Sequence, residues 1–341
     1  MTGSSHRPPH SLPPVEQLAD GLIRVPIPIP GPLGHVNCYL VAGETGWTVV
    51  DTGYHTPEAE QAWQQALAGL SLRFSDIEQV VVTHYHPDHL GAAGWLQQMT
   101  GACVWMLDRE RPQVERFWKP GSAAGQELQR FFAEHGMPEP VASLLPSLHE
   151  RLVQWAQPLP AVRWLKPHDT LAVGRRRFQV LWAPGHADGL LVLWEPRERL
   201  LVADDLVLDT ISPHVGLWPH QAETPLPAFL NSLRQVAALG ASLAVTGHRG
   251  PVRDVKERAR ELIEHHHRRL SDTEAAVQTI CSRDGGGASA WQVQVALFGE
   301  PADLFNARFG MAEALAHLEF LLACGRLRRE VSPEGVRYRP A

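Results

Sequence analysis

The chain has 341 residues, 44% hydrophobic and 20% charged, with a formal net charge of −6 and a pI near 6.3. That is the composition of an ordinary soluble globular protein, long enough for one large domain plus a smaller one or for two medium ones. The charge predicts no global pull toward nucleic acid or anionic membranes, and four scattered cysteines without a CxxC pair argue against a disulfide scaffold.

In chain order, Met1 to Pro14 is rich in Ser, His and Pro and lacks the apolar core of a signal peptide. It reads as a disordered tail, residues 1–14, and the protein as cytoplasmic. No apolar run is long enough to span a bilayer, and the eleven tryptophans are assigned to the core. Leu22–Ile29, Val36–Val41 and Trp47–Val50 read as strands, the last two joined by a Gly-Glu-Thr-Gly turn. A helix is predicted over Thr56–Leu70, a strand at Val80–Val82, a helix at Gly91–Met99 and an extended run at Cys103–Leu107. Residues 109–155 are helical in pattern, so about 108–159 form an insertion. It is either a functional lid or a cover for a sheet face. Strands return at Phe178–Trp182, Leu190–Trp194 and Leu200–Val202, followed by a helix at Pro227–Leu239 and a strand at Leu243–Val245.

Strands apolar on both faces and interleaved with helices imply a layered α/β domain over residues 15–251. From Val252 the pattern becomes helical, at Arg253–Leu270, Ala288–Leu297 and Ala312–Cys324. The chain then alternates around a Ser-Pro-Glu-Gly turn, a hairpin signature. Residues 252–341 therefore read as a small winged-helix-like module. The triplet His265-His266-His267 is expected on the solvated face of its helix, and His168 in a turn.

The chemistry concentrates just after Val80–Val82, where His84, Tyr85, His86, Pro87, Asp88 and His89 follow one another. Imidazole nitrogens and carboxylate oxygens are the ligands zinc takes, and four of them within six residues can surround two ions. His84 and His86, two apart in extended chain, can face one ion. Pro87 turns the chain so that Asp88 and His89 can face another. His186, Asp205 and His248 each follow a predicted strand, so all can converge on one rim of a sheet.

These motifs, with Asp51-Thr52-Gly53, Pro184-Gly185-His186, Asp204-Asp205 and Gly247-His248, resemble the metallo-β-lactamase-fold superfamily over roughly residues 21–251. The resemblance implies an αββα sandwich with two Zn²⁺ ions at one edge; iron and manganese fit the same ligands. His84, His86 and His186 would hold the first ion, Asp88, His89 and His248 the second, and Asp205 would bridge them. Asp88 and Asp205 are the candidate catalytic residues, Asp88 for proton transfer as well as ligation. Asp51 and Asp204 are expected to orient ligands or to form turns. The ions would lower the pKa of a bound water from near 15.7 to roughly 7, giving a bridging hydroxide that attacks a carbonyl carbon or a phosphorus. Tyr85, His214 and His220 are candidates for substrate contact. Two departures stand out: Leu190 replaces a second histidine found in several relatives, and Asp204 replaces a glycine.

Thioester, lactone, β-lactam and phosphodiester hydrolysis all suit such a core. His86 in place of Glu argues against the oxygen-reducing flavodiiron branch, and His89 against β-lactamases that lack it. The ending also differs from the basic helical domain of glyoxalase II. The overall plan resembles the β-lactamase-like protein 2 group, some of whose members are linked to single-stranded RNA cleavage. Residues 252–341 carry 13 Lys/Arg against 13 Asp/Glu, whereas a nucleic-acid module usually shows a basic face. The candidate basic face is Arg326, Arg328, Arg329, Arg337 and Arg339. Ester or thioester hydrolysis of a small-molecule substrate is therefore ranked above RNA cleavage. An iron-dependent sulfur dioxygenase and a non-catalytic metal-binding regulator stay open, as does a homodimer contact through the C-terminal module.

Overall fold

Alternation at period two, with both faces apolar, builds two sheets that share one core. In the computed structural model, which describes residues 12–221 and 224–341, the first sheet has seven strands in chain order. They are β1 (Glu16–Ala19), β2 (Leu22–Pro28), β3 (His35–Ala42), β4 (Trp47–Val50), β5 (Ile77–Val81), β6 (Cys103–Leu107) and β7 (Val162–Leu165). Pairing is antiparallel through β4 and parallel from β4 to β7. The second sheet holds β8 (Thr170–Val173), β9 (Arg176–Trp182), β10 (Leu191–Glu195), β11 (Leu200–Val202) and β12 (Leu243–Val245), in the order β12-β11-β10-β9-β8. There only β11 and β12 run parallel. The predicted tail over residues 1–14 lies outside the described residues up to residue 11.

The side-chain period explains the layering. Along β10, Leu191 and Leu193 enter the core between the sheets, while Val192 and Trp194 face the outer helices. Along β3, Tyr39 and Val41 point inward and Cys38 and Leu40 outward. The result is the expected αββα sandwich. Helix α1 (Pro57–Gly69) shows how the outer layer is specified. Thr56 caps it by accepting from the Ala59 amide at 3.2 Å, Pro57 opens it, and Ala59, Trp63, Ala66 and Leu67 form its buried face. Trp63 also donates to the Thr52 carbonyl at 2.9 Å, which ties the helix to the end of β4.

Short α2 (Pro87–Leu90) and α3 (Ala93–Thr100) follow β5. The helical insertion is α4 (Arg111–Phe117), α5 (Ala124–Glu134), α6 (Glu139–Ala142) and α7 (Leu145–Gln154), and α8 (Pro225–Ala238) precedes β12. The C-terminal part is α9 (Val255–Asp284), α10 (Ala290–Phe298), α11 (Leu304–Ala323) and the hairpin β13 (Leu327–Ser332) with β14 (Gly335–Pro340). No helix among the described residues is long and apolar enough to cross a membrane.

Several expectations are corrected. Strands β1, β7 and β8 have no counterpart in the sequence reading; β1 and β7 are half-exposed edges, and the apolar signal of β8 is two residues long. Helix α9 continues past Leu270 to Asp284, because its buried stripe, Val255, Ala259, Leu262, His266, Leu270, Thr273, Val277 and Ile280, carries two polar residues that mask the periodicity. His266 is therefore no part of a solvated triplet. It is 1% exposed, packs on the Phe229 ring at 5.3 Å, and places Nδ1 3.2 Å from His317 Nε2. Helix α11 starts eight residues earlier than predicted, capped by Asp303, which accepts from the Asn306 amide at 2.8 Å.

Candidate metal centre

Every sequence-derived ligand lies where a strand runs out. Asp51 follows β4, His84 to His89 follow β5, His186 lies in the turn after β9, Asp204 and Asp205 follow β11, and His248 follows β12. Because β4, β5, β11 and β12 end at the same edge of the sandwich, these side chains are gathered by topology rather than by local sequence.

They form four overlapping groups of three, of which that of His84, His89 and Asp205 and that of Asp51, His89 and Asp204 share His89, and the two others share no member with each other. His84, His86 and His186 present ligand atoms within 4.8 Å of one another, and so do Asp88, His89 and His248. In the first group His84 Nε2 lies 2.9 Å from His86 Nδ1 and 3.3 Å from His186 Nε2. Ligands at about 2.0–2.1 Å in a tetrahedron stand about 3.3 Å apart, so these separations fit a shared ion. In the second, Asp88 Oδ2 lies 3.4 Å from His248 Nε2 and 3.7 Å from His89 Nε2. Asp205 faces both: its Oδ2 is 3.4 Å from His186 Nε2, 3.5 Å from His89 Nε2 and 3.6 Å from His248 Nε2.

The other ring nitrogens are held by oxygen. His186 Nδ1 pairs with the His214 carbonyl at 2.8 Å and His248 Nδ1 with the His35 carbonyl at 3.1 Å. His89 Nδ1 meets Asp51 at 3.1 Å, and His84 Nδ1 meets Asp204 at 3.2 Å. Such partners favour the proton on Nδ1, so that in the neutral ring each Nε2 would offer its lone pair inward. Thr83, absent from the sequence-derived site, joins this layer. Its hydroxyl lies 2.9 Å from Asp51 Oδ2, 2.7 Å from Asp204 Oδ2 and 3.0 Å from His84 Nδ1, and its amide donates to Asp51 Oδ1 at 2.8 Å. Asp51 and Asp204 reach these positions with φ of 57° and 47°, left-handed conformations that are costly outside glycine and that the surrounding bonds sustain.

The electrostatics call for a cation. Burial, then His89 and His186, hold His84 well below the ordinary histidine value; burial likewise depresses His86, so both offer the neutral, ligating form. Burial also opposes charge on His248, but Asp205 and Asp88 outweigh it and lift the ring to about 9. His89 is raised in the same way by Asp204, Asp88, Asp205 and Asp51. Burial and the neighbouring Asp204 push Asp51 above the usual carboxylate range. Two buried atoms aimed into the cluster, His89 Nε2 and Asp205 Oδ1, have no hydrogen-bond partner. This donor set is able to bind metal, and it fits divalent ions in both charge and ligand type.

The candidates for substrate contact separate. Tyr85 is buried between the insertion and the cluster, its ring 4.7 Å from His86 and its carbonyl accepting from Trp118 Nε1 at 2.6 Å. His214 supports His186 through its carbonyl and lies 3.7 Å from Glu313 of α11. His220 turns away to Glu127 of α5 at 3.4 Å, with half of its side chain exposed. Leu190, at the departure noted above, is fully buried in the outer core.

Comparison with known proteins places this geometry in a wider set. The sequence profile described as the Metallo-beta-lactamase superfamily matches residues 31–248, and that of the Metallo-beta-lactamase-like C-terminal domain matches residues 275–341. A crystal structure of a metallo-beta-lactamase family protein from Thermus thermophilus superposes with a TM-score of 0.85 at 37% identity, covering 95% of this chain and 100% of that one. Among curated relatives, the probable metallo-hydrolase YqjP of Bacillus subtilis is 28% identical over 89% of this chain and 93% of its own length. The beta-lactamase-like protein 2 homolog of Caenorhabditis elegans is 26% identical over 75% and 70%.

Proposed function

The chain belongs to the metallo-beta-lactamase superfamily, and from that premise we propose that it is a dinuclear metal-dependent hydrolase cleaving an ester or thioester of a small acyl substrate. The observation that carries the reading is Asp205 Oδ2, which lies 3.4–3.6 Å from His186, His89 and His248 and so faces both ligand groups. In this reading His84, His86 and His186 would hold one ion and Asp88, His89 and His248 the other, with Asp205 placed within reach of both sets; zinc fits the ligands, as do iron and manganese. Divalent ions there would supply a nucleophile from water near neutral pH and polarise the bond under attack.

The chain's own groups do the rest. The carbonyls of His214 and His35 and the Thr83–Asp51–Asp204 layer lock the imidazoles in place. Burial opposes ionisation of Asp88, but His89 and His248 outweigh it and hold the carboxyl below its usual range. Its side chain, 16% exposed, is also more open than those of Asp205, Asp204 and Asp51, at 7%, 2% and 1%. Asp88 is thus an ionised carboxylate at the more open side of the cluster, where it would help hold an ion with His89 and His248 and could accept a hydrogen bond from an attacking water.

RNA cleavage is disfavoured by the hairpin. Arg326 pairs with Glu274, Arg329 with Glu319 at 3.1 Å and Arg339 with Glu330 at 2.8 Å, so much of the predicted basic face is neutralised. A panel of aryl esters, acyl thioesters, lactones and bis(nitrophenyl)phosphate tests the class. Turnover of esters or thioesters is expected, and turnover of the phosphodiester alone would overturn the assignment. Asp205→Asn should lower kcat at least about a hundredfold with the fold intact, and an undiminished rate would misplace the bridge.

A further inference from the structure

We propose that Arg308, on α11 of the C-terminal part, binds an anionic substituent of the substrate, a carboxylate or phosphate, beside the metal cluster. The inference rests on the hydrolase reading above and adds the class of substrate.

Helix α11 is set against the site by several contacts. The Leu217 amide donates to the Ala312 carbonyl at 2.9 Å, and Glu313 lies 3.7 Å from His214, whose carbonyl holds His186. One turn earlier on α11, Arg308 extends into an aromatic frame. Its guanidinium carbon is 4.7 Å from the Phe309 ring centre, 5.2 Å from Trp218 and 5.6 Å from Phe305. Trp218 in turn contacts Phe132 of the insertion at 5.9 Å. The guanidinium therefore sits where the catalytic domain, the insertion and the C-terminal helices meet.

Its electrostatic surroundings include a group of the site. Burial works against its charge, and the groups offsetting that cost are Tyr54, Tyr85 and Asp88, the last a candidate ligand. From α7, His149 is depressed by burial and by Arg308. Geometry sets the guanidinium against Trp218, which follows the loop whose His214 carbonyl holds His186, so the cation stands beside the candidate metal centre.

What marks it as a ligand group is the missing partner. Arg258, Arg260, Arg269, Arg283, Arg326, Arg329 and Arg339 each have an acidic neighbour, and Arg253, Arg268, Arg328 and Arg337, which have none among the described residues, bury no unpaired nitrogen. Arg308 has neither an ion pair nor a hydrogen bond among the described residues, and its buried Nε is unsatisfied. A half-buried cation whose Nε is sealed off without a counter-ion is costly, and aromatic faces compensate only part of that cost. A planar, five-donor guanidinium matches carboxylate and phosphate oxygens in pairs. Tyr85, Trp218 and Phe309 would flank an apolar acyl chain whose charged end reaches Arg308 while its scissile carbonyl faces Asp205.

Matched thioesters test this in the metal-loaded enzyme: a butyryl thioester, its succinyl counterpart, and one ending in a phosphate monoester. The wild type should prefer one or both anionic substrates over butyryl by at least about tenfold in kcat/KM, and the favoured arm identifies the anion. Arg308→Met should abolish that preference while changing butyryl turnover less than about threefold; Arg308→Lys should restore part of it. Equal loss on all three substrates, or no preference in the wild type, would overturn the proposal. If Arg308→Met does not fold, Arg308→Gln takes its place, with succinate and inorganic phosphate binding measured by calorimetry against the wild type. Equal binding by variant and wild type would also refute it. Butyryl hydrolysis without anion preference refutes the Arg308 role alone, whereas failure on every thioester and ester refutes the hydrolase reading.

Discussion

Replacing Thr83 with valine removes one oxygen from beneath the cluster and changes little else. Valine keeps the shape and β-branching, the Thr83 amide still donates to Asp51 Oδ1, and the Thr83 carbonyl still accepts from Leu191 at 2.8 Å. What goes is the hydroxyl between Asp51 Oδ2, Asp204 Oδ2 and His84 Nδ1, at 2.9, 2.7 and 3.0 Å. That hydroxyl has one proton, so it donates to one carboxylate at a time and accepts from the imidazole. A hydrogen bond to a charged group contributes about 1.5–3 kcal/mol, and orphaned buried carboxylates add to the loss. The expected destabilisation of the apoprotein is therefore about 2–4 kcal/mol. Metal affinity should fall about 10–100-fold, because His84 and His89 lose the layer that orients them. Urea unfolding gives the first quantity and chelator competition with zinc the second, with Thr83→Ser as the variant that keeps the hydroxyl. Wild-type affinity and stability in Thr83→Val would refute the role assigned to this layer.

Other predictions probe different parts of the account. A β-carbon at Gly247 would lie less than 3.0 Å from Asp205 Oδ1, Asp204 Oδ1 and the His89 ring. Gly247→Ala should thus cost about 1–3 kcal/mol and weaken metal binding, and unchanged zinc affinity would show that the cluster has slack there. Glu110 is buried, and burial followed by Asp188 lifts its pKa from 4.5 to about 8. Between those values the folded state keeps a proton that the unfolded state has lost. Its contribution to stability is then fully present below pH 4.5 and is lost as pH rises through 8, a drop on the order of 4–5 kcal/mol. Glu110→Gln should flatten that part of the urea-derived stability profile; an unchanged slope would assign the drop to other groups.

The candidate ligands that the structure brings together were legible because their signal is local and dense: four within six residues, then single residues after apolar strands. The groups that support them were not. Thr83 looks like any polar residue ending a strand, and the His35 and His214 carbonyls are backbone atoms that carry no sequence signature. Arg308 lies 219 positions after His89, on a helix whose apolar period is interrupted by Asn306 and Gly310, and only the packing of α11 on residues 214–218 brings it to the site. His266 was misread for a related reason. A polar residue on a buried stripe looks solvated until its partner, His317, is known. In the fold, the long two-faced strands were readable, whereas β1 and β7 bury too little on either face to leave a pattern.

The most direct test of the proposed two-ion centre is metal stoichiometry. Protein loaded with zinc and freed of excess by gel filtration should carry two ions per chain by elemental analysis, and His186→Ala, which removes one ligand from the first group only, should carry about one. Well under one ion per chain in the wild type, or two ions retained by the variant at unchanged affinity, would contradict the arrangement.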